Sequence, residues 1–312
     1  MSNTARDGSR ILERLAAGPI SWGVCEVPGW GLQLSPDQVL SEMRSLGISA
    51  TEAGPDGYLG RDLAAVRALL GRHGLELVGG FLPVVLHDPA RLEASLAATL
   101  RAATLLGGLG ASVLCSAVVL DEDWSPPRKL SADEWDHLLA ALPLLDGITA
   151  DHGLAHALHP HWGTLVERAP EVRRIVDESE VALCLDTGHL TLGEVDPAEL
   201  AREAPGRIVH AHLKDVDSGV AERLRKGELR LVQAVQAGLF RPLGEGDAPV
   251  RDTVLCLEQA GYAGRYVLEQ DVALTAEPAD RAGPLEDVGR SIEFLRTFDR
   301  DGISAAAASE GR

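Results

Sequence analysis

The chain has 312 residues, 45% of them hydrophobic and 24% charged, with a formal net charge of −18. Such an acidic chain repels a phosphate backbone, and its lysines and arginines are dispersed rather than striped, which excludes nucleic acid as a partner. No apolar run approaches the ~18 residues of a membrane span, Met1 to Arg14 is polar, and Cys25, Cys115, Cys184 and Cys256 show no CxxC spacing, so a reduced, cytoplasmic protein is expected.

Residues 1–18 read as an N-terminal extension. Beyond them, short apolar runs alternate with longer amphipathic ones. The predicted strands are 19–23, 50–53, 76–82, 112–116, 155–159, 182–185, 208–213 and 266–269, with helices between them. Ser35 ahead of Pro36 and Asp37 predicts a helix start, and so does Ser131 ahead of Asp133 and Glu134. Leu63, Val66, Leu69 and Leu70 share one face of the second helix. Leu92, Leu96, Leu100 and Leu105 recur along the third. Residues 299–312 are small and polar and are expected to form a mobile tail.

Eight strand–helix units within 19–298 predict a single α/β domain, a (β/α)8 TIM barrel, a fold that typically takes about 250 residues. An open dinucleotide-binding sheet is the competing architecture. Its glycine-rich turn is missing, because Gly107, Gly108 and Gly110 follow a helix instead of a strand.

Catalytic groups of such barrels come from the C-terminal ends of the strands, which here are conspicuously polar. The fifth ends in His159-Pro160-His161, the sixth in Asp186, the seventh in His212-Leu213-Lys214-Asp215 and the eighth in Glu269-Gln270-Asp271. Imidazoles and carboxylates at four successive strand ends are costly to desolvate unless paired or metal-bound, and they form an N/O set suited to Mn²⁺, Co²⁺, Zn²⁺ or Mg²⁺. Asp186, His212 and Glu269 are the candidate ligands, with His159 or His161 beside them. His210 reads as a hydrogen-bonded core histidine, and His152 and His156 as structural.

A divalent ion chelating a ketone and an adjacent hydroxyl stabilises an enediolate, which leads to dehydration or to epimerisation or isomerisation. Glu269 is the candidate base, and His161 or Lys214 the candidate acid, although Lys214 also fits an ion pair with Asp215. His189 is the candidate for a substrate hydroxyl, with Glu167 and Arg241 as further contacts. Trp22 suits either a pocket wall or packing, and Glu52 either a substrate hydroxyl or an ion pair.

The four strand-end motifs, in this order, resemble the xylose isomerase-like barrel superfamily, and within it the inosose dehydratases of inositol catabolism. The likeness extends to Ile20-Ser21-Trp22-Gly23, Thr51-Glu52-Ala53-Gly54, Asp133-Glu134-Trp135 and the loop from Gly238 to Asp247, and covers roughly 19–295. It implies one divalent metal, Mn²⁺ or Co²⁺ foremost, bound through Asp186, His212 and Glu269, with His159 where a glutamate is usual. It further implies a small polyhydroxylated keto substrate, a hydro-lyase activity with a ketose or keto-cyclitol epimerase or isomerase as the alternative, and a homo-oligomer. The chain departs from that pattern at Gly23-Val24-Cys25-Glu26 and Leu114-Cys115-Ser116-Ala117, which leaves the exact substrate open.

Overall fold

The computed structural model describes residues 11–279 and 283–300. Eight parallel strands close on one another: β1 (Leu15–Ala17), β2 (Ala50–Glu52), β3 (Glu76–Val84), β4 (Val113–Val118), β5 (Ala155–Leu158), β6 (Ala182–Asp186), β7 (Ile208–Leu213) and β10 (Tyr266–Leu268). Between β7 and β10 the chain leaves the barrel to form a two-stranded antiparallel ribbon, β8 (Asp215–Val216) with β9 (Phe240–Arg241).

Successive strand residues face opposite ways, and the two faces carry different chemistry. Inside, Ala16, Ala50, Val78 and Val267 form one apolar layer, and Val113, Cys115, Ala157 and Cys184 another, their small size suiting a tapering interior. Leu77, Leu114, Leu158, Leu183, Leu213 and Leu268 belong to the larger cluster that joins strands to the surrounding helices. The four cysteines are free thiols.

The first strand lies earlier than its expected place. Pro19–Trp22 forms a 3₁₀ turn that ends at Gly23 in the left-handed region, φ 82°, and the ladder is made instead by Leu15–Ala17. Proline has no N–H to give to a central strand, and the Leu-Ala-Ala triplet is masked by the charged residues that precede it. The barrel therefore begins inside the segment read as an extension, of which 1–10 lie outside the described residues. At the other end, the last helix, Pro284–Arg300, runs into the expected tail, whose remainder, 301–312, also lies outside them.

The helix Pro89–Leu109 corrects a second expectation. It buries Ser95, Thr99, Ala103 and Leu106, while Leu100 is 48% exposed. An i, i+4 row of leucines advances about 40° around the axis at each step, so Leu92 and Leu96 still pack partly buried against the core while Leu100 has rotated off it. The smaller residues let the helix approach the sheet, and Ser95 Oγ holds it there, donating to Val85 O at 2.9 Å. Both expected caps form. Ser35 accepts from the Gln38 N–H, and Ser131 with Glu134 completes a capping box. Among the described residues no helix is long and apolar enough to cross a membrane.

Candidate active site

The C-terminal strand ends meet at one mouth. Asp186 closes β6 and at the same time caps the helix Thr187–Leu192, its Oδ1 accepting the N–H groups of Gly188 and His189 at 2.8 Å each. That double acceptance fixes the carboxylate and leaves Oδ2 free to face inward. His212 stands opposite Asp186 in the β6–β7 register. Its Nδ1 lies 3.7 Å from Asp186 Oδ2 and 3.2 Å from Glu269 Oε2, while His159 Nε2 lies 3.5 Å from the same Asp186 oxygen.

Ligand atoms of Asp186, His212 and Glu269 all lie within 4.8 Å of one another. His159 falls in two neighbouring groups, one with Asp186 and His189, the other with Cys184 and His212. Asp186 Oδ2, His212 Nδ1 and both ring nitrogens of His159 are buried without a hydrogen bond. Orphaned polar atoms of this kind cost roughly 1–3 kcal/mol each, so Asp186 Oδ2 with His212 Nδ1 and His159 Nε2 both facing it is the signature of a group meant to be coordinated. The donor set fits a divalent ion.

Lys214 is the fixed cation of the site. Its Nζ lies 2.6 Å from Asp271 Oδ1, 3.1 Å from Glu269 Oε2 and 3.5 Å from Asp186 Oδ2, with 1% of the residue exposed. It does not pair with Asp215, the alternative open at the sequence level. Asp215 turns the other way and accepts the N–H groups of Gly244, Gly246 and Ala248, which shapes the loop after β9.

These charges set the protonation states. Burial would raise the Asp186 carboxyl, but Lys214 and the surrounding histidines hold it well below the usual range. Glu269 is held down to about 2 against its burial by His212 and Lys214. Burial would also raise Glu52, yet His212 and His210 keep it ionised. Burial lifts Asp271 to about 6 despite Lys214. Burial, His159 and Lys214 push His161 down to about 3, so this imidazole is neutral.

A cavity of about 670 Å³, open solvent included, leads to these groups. His159, His161, His212, Lys214, Glu269 and Asp271 line one side. Phe81 and Trp124 stand on the wall with ring centroids 6.4 Å apart, and Trp124 adopts a left-handed backbone, φ 56°.

Several residues named from the sequence take other places. Trp22 is wholly buried, donates to Glu42 Oε2 and does not line the cavity, so its role is packing. Arg241 is exposed and pairs with Asp217 at 3.0 Å, and Glu167 accepts from Gly163 N and pairs with Arg168; neither lines the cavity. Glu167 sits on a loop and Arg241 in the short β8–β9 ribbon outside the barrel, where the barrel strand pattern does not report a side chain's direction. His189 is buried behind His161, with its Nδ1 accepting from Trp162 N and its Nε2 3.0 Å from Lys214 Nζ. Glu52 does border the cavity, but its Oε1 is engaged by His210 and His212. His156 bonds Ser116 and Asp146, and His152 bonds Ile148 O.

Sequence reasoning missed Phe81, Trp124 and Glu26 as lining residues. Burial, with Glu269 and Asp271 nearby, raises the Glu26 carboxyl to about 7. Glu26 and Trp124 come from loops after β1 and β4, where no periodicity marks a side chain's direction; a departure from the expected motif at Gly23–Glu26 was the one available signal.

The family model described as xylose isomerase-like TIM barrel matches residues 40–298. The inosose dehydratase of Geobacillus kaustophilus is 34% identical over 274 residues, covering 83% of this chain and 87% of that protein. The rhizopine catabolism protein MocC of Rhizobium meliloti is 33% identical over 83% of this chain and 81% of its own length. A solved D-allulose 3-epimerase from Methylomonas sp. superposes with a TM-score of 0.66 at 18% identity, over 91% of this chain and 96% of that one, a likeness of fold. With its closed eight-stranded barrel and its donors gathered at the strand ends, the chain belongs to the xylose isomerase-like TIM barrel family.

Proposed function

We propose that the protein is a divalent-metal-dependent hydro-lyase that dehydrates a keto-inositol or a closely related keto-sugar. The meeting of Asp186 Oδ2 and His212 Nδ1, both bare of hydrogen bonds, with the carboxylate of Glu269 beside the cavity supports it, in a chain akin to proteins named inosose dehydratase. A divalent ion held there, Mn²⁺ or Co²⁺ foremost, supplies Lewis-acid polarisation of the substrate ketone.

The chain's own residues divide the remaining work. Glu269 is ionised and reaches the cavity, so it accepts the proton from the carbon next to the ketone. Lys214 stays protonated, since Asp186, Asp271 and Glu269 raise it in spite of burial, and its ammonium donates toward the departing hydroxyl. His161 Nδ1 bonds Trp162 O at 2.8 Å; a carbonyl only accepts, so the neutral ring presents a bare Nε2. That nitrogen accepts a hydrogen bond from a substrate hydroxyl, and the acid role passes to Lys214. Phe81 and Trp124 cover the apolar face of the ring and exclude water.

The test is to load the protein with Mn²⁺, add 2-keto-myo-inositol and follow the ultraviolet absorbance of an enolised diketone. Its appearance is the expected result. Proton–deuterium exchange at the α-carbon without that absorbance replaces the dehydratase with an epimerase or isomerase of the same site, and the absence of both overturns the reading.

A further inference from the structure

β2 sends Glu52 across the barrel to residues 158 and 160 positions away. A single oxygen, Oε1, lies 2.8 Å from His210 Nε2 and 3.2 Å from His212 Nε2, with all three side chains buried. A carboxylate oxygen only accepts, so each of these Nε2 atoms carries its hydrogen. A ligating imidazole is neutral and keeps one N–H, and retaining it on Nε2 of His212 leaves Nδ1 with a bare lone pair. Nδ1 is the nitrogen that faces Asp186 and Glu269 and has no hydrogen-bond partner. The opposite tautomer would aim a lone pair at Glu52 and a hydrogen into the donor set.

The geometry points to Glu52 as a positioning residue that fixes His212 in its Nε2–H tautomer, making Nδ1 the metal-ligating atom and strengthening it as a donor. His210 holds the carboxylate in place by donating to the same oxygen, which is why a second histidine is buried one layer beneath the ligand. Carboxylate–histidine–metal lines of this kind orient the ring, and their loss typically weakens metal binding about 10–100-fold. The inference rests on the metal reading above and assigns Glu52 a task other than contact with substrate.

The experiment measures Mn²⁺ binding by calorimetry to the wild type, Glu52→Gln and Glu52→Ala, and reads the His212 tautomer from ¹⁵N-histidine spectra of each. Expected is a loss of about tenfold in affinity for Glu52→Gln, which keeps an acceptor oxygen, and about 100-fold for Glu52→Ala, together with loss of the Nε2–H preference. A merely structural glutamate would lower the melting temperature and leave affinity and tautomer as they were, which overturns the inference. So does a wild-type spectrum with the hydrogen on Nδ1, a readout that stands even where a variant fails to fold. Wild-type protein with the Nε2–H tautomer but no affinity for Mn²⁺ or Co²⁺ overturns the metal reading instead.

Discussion

His161 lies against His189 with ring centroids 3.6 Å apart and planes inclined by 33°. Two rings this close cannot both carry charge: burial, His159 and Lys214 drive His161 down to about 3, and burial, His161 and Lys214 drive His189 well below the ordinary histidine range. The unfolded chain takes up these protons near pH 6.5 while the folded one refuses them, so stability is full above that pH and falls as acid is added toward pH 3. His161→Gln removes part of this acid sensitivity. Chemical denaturation between pH 4 and 7 checks it, and an unchanged slope for the variant would refute the pairing.

Lys214 is buried among three carboxylates. Lys214→Met leaves them without their cation, with an expected cost of about 3–5 kcal/mol. Part of the loss should return on moving to pH 5, as Asp271, lifted to about 6, takes up a proton. The rate should drop on the order of 10²–10⁴-fold if the ammonium is the acid. Melting curves and single-turnover rates measure the two effects separately.

Gly18 has ordinary backbone angles, yet a Cβ there would sit 2.7 Å from Glu269 Oε1. The flexible carboxylate yields before the barrel does. Gly18→Ala should therefore melt close to the wild type and lose roughly 10²-fold in kcat/KM, since about 1 Å of misplacement at a reacting group has that effect. Full activity in this variant would show that Glu269 works from another position.

Glu26 carries a carboxyl raised to about 7 by burial and by Glu269 and Asp271. Its folded-state value lies above the unfolded one, so the neutral form is favoured and its contribution to stability fades as pH rises through 7. A rate profile with an inflection near pH 7 that Glu26→Gln abolishes is the expected result. An inflection that persists in the variant assigns it elsewhere.

Trp124 stacks on Phe81 at 23° between ring planes while holding φ at 56°. A bulky residue keeps that conformation only when its surroundings over-determine it. Trp124→Ala should raise KM about 2–13-fold, the equivalent of about 0.5–1.5 kcal/mol of aromatic contact, with kcat little changed. A fall in kcat alone would place the ring in the chemistry instead of the wall.

Short apolar runs alternating with amphipathic ones, together with helix caps, make the barrel legible in the sequence, and seven of the eight strands fall where those runs lie. Asp186, His212 and Glu269 were legible too as polar residues at the ends of apolar strands, and the structure shows Asp186 and Glu269 in step with the interior residues Cys184 and Val267. The first strand was not, since three short residues behind a charged segment leave no alternation to read.

Local periodicity reports which face a residue takes and at which end of a strand it lies, and here that was enough for the fold and for gathering the candidate ligands at one mouth. It carries no information on what stands across the barrel. That Glu52 meets His210 and His212, that Lys214 chooses Asp271 over its neighbour Asp215, and that Trp22 packs while Trp124 lines the cavity were all decided by tertiary structure. The reason is physical: closing eight strands into a cylinder brings side chains 160 residues apart into one desolvated volume, where each buried charge must find a partner that the local sequence does not name.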